Sequence, residues 1–231
     1  HVFASQIMDA IHTAYSKIFP FKKDPKVIYR VYIHSTTAGF DAFNKSLGVE
    51  QNNSAGYFSP STKTLVINGD ARGAKTNKYG FSADTIDTML HEGFHQFVHM
   101  FVPNIPMWFD EGLAEYFGPS QFLGKRKLKI GVVLRGGDTG FETRYGVIKA
   151  AIEEDDPIAP LSLKDFMSEK NTDFGGEGDR VDVNYAQAWS LIHFLLHSKS
   201  MGSKGKTLIK AFFKAMRTGK TGQEAFDDTF G

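Results

Sequence analysis

Cysteine is absent from all 231 residues. That removes disulfide staples, thiolate zinc ribbons and cysteine nucleophiles at once, while leaving the compartment open. An excess of one charge sign is also missing, since 27 basic and 26 acidic residues leave a formal net charge of +1. A broad electrostatic footprint for nucleic acid is therefore not expected. No apolar run approaches the roughly 20 residues that cross a bilayer, so no transmembrane segment is expected. Internal repeats and low-complexity tracts are lacking too. Charge clusters only locally, at Lys125, Arg126, Lys127 and Lys129 and in the acidic run 153–156. We read both as solvated faces.

What the chain has is ordinary bulk for a folded protein, with 41% hydrophobic residues and 21 phenylalanines, most of them expected in a core. A chain of this length buries roughly 70% or more of its unfolded surface without staples. It starts at His1 rather than Met, which we take as a processed or excised segment whose leader is not seen.

Apolar residues at Val2, Phe3, Ile7, Ala10, Ile11, Ala14 and Ile18 predict a helix over 2–18, stopped by Pro20. The β-rich run 27–33 predicts a strand, 37–47 a short helix, and 55–67 a hairpin turning at Ser59-Pro60-Ser61. Ser82 or Asp84 can cap a helix reaching about Phe101. A second helix should cover 107–117, closed by Gly118-Pro119. Residues 121–140 read as a hairpin or irregular excursion, with helices following at about 144–154 and 162–168. The Gly- and Asp-rich stretch 171–182 reads as a mobile loop. Helices at 185–197, 204–217 and 221–229 complete the chain, the last with a capping box from Thr221 and Glu224.

The segment His91-Glu92-Gly93-Phe94-His95 is an H-E-x-x-H motif. On a helix, positions i and i+4 share a face about 6 Å apart, so two imidazoles can take adjacent corners of a tetrahedral zinc site. Glu92 lies about 100° round the helix, within reach of a water on the metal but poorly placed to ligate. Zinc brings such a water to a pKa of roughly 7, and Glu92 can take its proton as general base. A catalytic zinc needs a third protein ligand and an open fourth position. A histidine six residues past the second would serve, but position 101 is Phe. The alternative is a glutamate from a later helix, and Trp108-Phe109-Asp110-Glu111-Gly112-Leu113-Ala114-Glu115-Tyr116 offers Glu111 and Glu115 one turn apart. His99, one turn beyond His95, is a substitute ligand, a group that supports a ligand from behind, or a partly buried histidine bonded to backbone. His193 and His197 repeat the i, i+4 spacing without an intervening glutamate, and we read them as structural.

Together these segments resemble the gluzincin zinc metallopeptidases of peptidase clan MA: the thermolysin-like peptidases, the aminopeptidases with N-E-G-F-A, and above all the small bacterial peptidase-MA-like domains with W-x-x-E-G-L-A-E-Y. The resemblance implies that His91, His95 and Glu111 hold one zinc ion per chain. It implies that Glu115 orients a zinc-bound histidine, His91, through its far ring nitrogen; such a contact typically contributes 10–100-fold. Asp110 departs from the Asn of the aminopeptidases. Tyr185, within Asn184-Tyr185-Ala186-Gln187-Ala188-Trp189, matches the tyrosine whose hydroxyl contacts the oxyanion in those relatives, with Tyr116 and Tyr145 as weaker rivals. Gly56, Tyr57 and Phe58 match the edge strand that takes extended substrate by strand addition, or are simply part of a core hairpin. No G-A-M-E-N exopeptidase motif occurs, which tilts the expectation toward an endopeptidase.

The implied fold is a zincin-like α+β domain. Residues 1–102 would form an N-terminal sublobe, a small mixed sheet with the motif helix. Residues 103–231 would form a mainly helical sublobe, with zinc between the two. The expected function is zinc-dependent hydrolysis of peptide bonds in a peptide or protein substrate, at an extracytoplasmic bacterial location. The alternatives are a zinc-containing binding module without activity and a cell-wall or glycopeptide hydrolase on the same scaffold. The same ligand trio also suits iron.

Overall fold

A computed structural model of the chain describes residues 2–19, 29–49, 54–134, 143–153, 158–168, 174 and 178–231. Within them the fold is α+β, with helices predominating over two small sheets. The described chain falls into two compact units, His1–Pro103 with Ser120–Lys129, and Asn104–Pro119 with Ile130–Gly231.

In the first unit, α1 (Val2–Ile18) lays Phe3, Ile7, Ile11 and Tyr15 into the core, following its 3.6-residue spacing. It packs on α3 (Ala83–His99), where Tyr15 meets Phe94 and Phe97 edge-on at 5.6 Å. The buried Tyr15 hydroxyl donates to the Leu90 carbonyl at 3.1 Å, which satisfies a polar group that would otherwise be costly to bury. The sheet has the order β1-β3-β2, with β1 (Arg30–His34) parallel and β2 (Gly56–Ser59) antiparallel to the central β3 (Thr64–Asn68). All five β3 residues are buried, as expected of a strand covered on both faces. Thr36 caps α2 (Thr37–Ser46), accepting from the Gly39 amide. The first strand starts at Arg30, while positions 27 and 28 of the expected run lie outside the described residues.

The hairpin β4 (Gln121–Gly124) and β5 (Lys127–Lys129) belongs to this first unit rather than to the C-terminal half. Phe122 meets Phe3 at 5.5 Å, and Arg126 pairs with Asp9 at 2.9 Å. Its four basic residues are exposed, as expected of a solvated face. Of the expected excursion over 121–140, residues 135–140 lie outside the described residues, as do 154–156 of the acidic run.

The second unit comprises α4 (Met107–Phe117), α5 (Arg144–Glu153), α6 (Leu163–Ser168), α7 (Asp179–His197), α8 (Lys204–Arg217) and α9 (Gly222–Phe230). Helix α7 packs against α4, α5 and α8. Trp108 and Phe109 of α4 meet Phe212 of α8 at 5.5 and 4.5 Å. The Thr221–Glu224 capping box forms at the start of α9. One correction falls on the expected loop at 171–182. After Gly178, at φ +89°, the helix begins at Asp179, a turn and a half before Tyr185. Buried Val183 extends its core face, whereas Asp and Val are weak helix formers, so composition hid the first turns. The remainder, 171–173 and 175–177, lies outside the described residues. Among the described residues eleven phenylalanines are buried. No helix among the described residues is long and apolar enough to cross a membrane.

Candidate metal centre

Helix α3 runs through the H-E-x-x-H segment without interruption. Ser82 starts it by accepting from the Thr85 amide at 3.1 Å, and Asp84 places a carboxylate in its first turn, favourable against the helix dipole. Gly93 is small for a packing reason. A Cβ there would stand 2.6 Å from Cδ1 of Ile11, so α1 approaches α3 closely at the centre of the motif.

On the facing side the two imidazoles converge. Nε2 of His91 and Nε2 of His95 are 3.2 Å apart, with ring centroids at 5.0 Å and planes at 70°. Two nitrogens bound tetrahedrally to one zinc at about 2.0–2.1 Å would be separated by roughly 3.3 Å. The pair is thus compatible with a metal ion. His95 is buried at 8% exposure, while His91 is half-buried. The Glu92 carboxylate lies beside them, with Oε1 4.0 Å from His91 Nε2. Its other oxygen, Oε2, accepts from the Phe58 amide on β2 at 2.9 Å. Half-buried His99 continues the same helix, its ring 6.4 Å from that of His95 and 5.9 Å from that of Phe58.

In the second unit, α4 is buried nearly all round, and among its buried residues are Asp110 at 5% and Glu111 at 8% exposure. Carboxylates in so apolar a helix are costly unless donors or a cation compensate them. Gly112, which follows, is required by packing: a Cβ would lie 2.7 Å from the Ala188 carbonyl oxygen of α7. One turn from Glu111, Glu115 is gripped by Arg144 of α5, Nε to Oε2 at 2.9 Å and Nη2 to Oε1 at 3.0 Å. Arg144 also reaches Asp182 of α7 at 3.0 Å and lies over the Tyr185 ring, 5.2 Å from its centroid. Burial alone would lower the guanidinium pKa, but Glu115 and then Asp182 raise it further above its ordinary value. The arrangement gathers Glu115, Arg144 and Tyr185 from α4, α5 and α7. Arg144 was not legible in the sequence. Its one signal is that it is the sole basic residue between Arg135 and Lys149.

The rival tyrosines separate. Tyr116 shares a hydrogen bond with Nε2 of His197 at 2.8 Å, and burial pushes its pKa up to about 12. Tyr145 is 38% exposed. His193 and His197 stack at 4.6 Å, and burial lowers both pKa values, helped by His197 for the former and by Lys206 for the latter. That fits the structural role read for this pair.

A family described as "Protein of unknown function (DUF1570)" matches residues 85–203, more than half of the chain, and the chain belongs to that family. The matched span includes the segments at 91–95, 108–116 and 184–192. No curated protein matches the chain.

Proposed function

We propose that this protein is a zinc-dependent peptidase of the gluzincin type, acting on a peptide or protein substrate outside the cytoplasm of a bacterium, with endopeptidase action favoured. In this proposal His91, His95 and Glu111 hold one zinc ion, and Glu92 is the general base. Glu115 orients His91, and Tyr185 donates to the developing oxyanion. The observation that carries the reading is the pair of Nε2 atoms at 3.2 Å on α3, with the Glu92 carboxylate 4.0 Å from one of them. Two imidazoles and a carboxylate with an open position match the donor set of catalytic zinc. A zinc ion bound by such a set acidifies water and polarises a carbonyl.

The chain's own groups supply the rest. Glu92 is placed to take a proton, because it flanks the histidine pair without sharing their face. Glu111 is a buried carboxylate, for which a cation is a natural compensation. Arg144 uses one lone-pair direction on each Glu115 oxygen. A carboxylate has about four such sites, so acceptor capacity remains for an imidazole N–H. A positioned donor such as the Tyr185 hydroxyl typically contributes about 2.7–4 kcal/mol at an oxyanion.

Elemental analysis of the purified protein together with a mixed peptide library read by mass spectrometry tests this function. We expect about one zinc per chain, cleavage by wild type, and loss of cleavage with zinc retained in Glu92→Gln. Stoichiometric zinc without cleavage of any peptide would favour a binding module. Protein that takes up no zinc would end the proposal.

A further inference from the structure

The edge of the sheet holds a contact that the proposed chemistry does not use. Strand β2 is the outer strand in the order β1-β3-β2. Its register, with Tyr57 opposite Val66 and Asn68 donating to the Ala55 carbonyl, turns alternate backbone groups toward β3. Gly56 and Phe58 therefore direct their amides and carbonyls away from β3. Gly56 is buried, and a Cβ there would stand 2.8 Å from Cγ2 of Thr88 on α3. One turn further along α3, Glu92 accepts the outward Phe58 amide at 2.9 Å. The same Phe58 places its ring 5.9 Å from that of His99, so it spans α3 from Glu92 to His99.

We infer that the Phe58 amide is a latch on Glu92, which a substrate strand opens by taking that amide for itself. An extended peptide joining the outer side of β2 needs the Phe58 N–H as a donor to one of its carbonyls. A single N–H cannot serve that carbonyl and the Glu92 carboxylate with good geometry at once. Strand addition therefore releases Oε2 of Glu92, and the carboxylate is free to turn once a peptide is aligned. The resting contact holds the carboxylate in one orientation through Oε2, while Oε1 keeps its acceptor sites. Phe58 acts here through Glu92 and is a positioning residue. The inference rests on the peptidase reading and adds a coupling between substrate engagement and the base.

Zinc-loaded Glu92→Gln and Glu92→Ala provide the test, since neither can act as base but only glutamine still offers an oxygen to the Phe58 amide. The probe is the peptide that wild type cleaves fastest in the library. We expect Glu92→Ala to bind it about fivefold more tightly than Glu92→Gln, the size of one neutral hydrogen bond given up on binding. Without peptide, the Phe58 amide of Glu92→Ala should exchange with deuterium at least about tenfold faster than in Glu92→Gln, and peptide should restore its protection. Phe58→Pro, which removes the donor on an outer strand where proline is tolerated, should weaken peptide binding. Equal affinities in the two Glu92 variants, or a Phe58 amide that peptide leaves unprotected, would overturn the latch while the peptidase reading stands. A library containing no peptide that is cleaved by wild type or bound by the variants would remove both.

Discussion

Arg144 holds Glu115 through two parallel hydrogen bonds, 2.9 and 3.0 Å long, and both side chains are less than one-third exposed. A fork of this kind fixes the carboxylate plane as well as its position. It ties α5 to α4, and through Asp182 and the Tyr185 ring it ties both to α7.

Removing the cation should therefore cost more than a surface ion pair would. Arg144→Ala leaves Glu115 half-buried without its fork, and we expect a loss of about 3 kcal/mol in urea unfolding. Arg144→Lys should recover only part of it, because an ammonium cannot span both oxygens. A loss below about 0.5 kcal/mol would show that the fork is a surface contact in effect.

The two motif glycines should differ in what they tolerate. At Gly112 an added methyl meets the Ala188 carbonyl oxygen, which is backbone, whereas at Gly93 it meets the mobile end of Ile11. Gly112→Ala should destabilise by about 1–3 kcal/mol, and Gly93→Ala by less. Thermal unfolding of the two variants decides the order, and a reversed order would contradict the packing described.

The stacked histidines predict a pH dependence. Both folded pKa values lie below the ordinary 6.5, chiefly through burial. At pH below 6.5 the unfolded chain then binds more protons than the folded one. Their contribution is fully present above 6.5, declines as pH falls through the window beneath it, and levels off below the folded values. Urea midpoints between pH 5 and 7.5 should fall less steeply for His193→Gln/His197→Gln than for wild type. Parallel curves would mean that the pair is not depressed.

Zinc binding can be read without any substrate. A ligand that binds only the folded state stabilises it by about 2.7 kcal/mol at a hundredfold excess over its Kd. Added zinc should raise the unfolding temperature of metal-stripped wild type, and should do so far less for His91→Ala, His95→Ala or Glu111→Ala. A variant at Glu111 that responds like wild type would remove that residue from the ligand set.

Tyr185→Phe separates chemistry from metal binding. If its hydroxyl meets the oxyanion, turnover should fall about 10²–10³-fold with zinc content unchanged. A fall in zinc content of equal size would assign Tyr185 to the scaffold around Arg144 instead.

Residue order carried a good deal of this protein. Helix α3 was legible because Ser82 caps it and its apolar residues keep helical spacing, so the convergence of His91 and His95 follows from four residues of α-helix. Helices α1, α4 and α9 were legible for similar reasons, through periodicity, Gly118-Pro119 and the Thr221–Glu224 box. The start of α7 was not, because Asp179, Val181 and Asp182 have weak intrinsic propensity and, among the described side chains, the buried face of the helix begins only at Val183.

The motif determined by itself which atoms could meet a metal, since i, i+4 geometry is a local property of one helix. Tertiary structure alone decided that Phe58, 34 residues away in sequence, gives its amide to Glu92, and that Arg144, 29 residues away, grips Glu115. Such partners depend on strand register and on how α5 packs through α7. Neither leaves a periodic trace in the chain, because a single donor meeting a single acceptor imposes no repeating pattern on its neighbours.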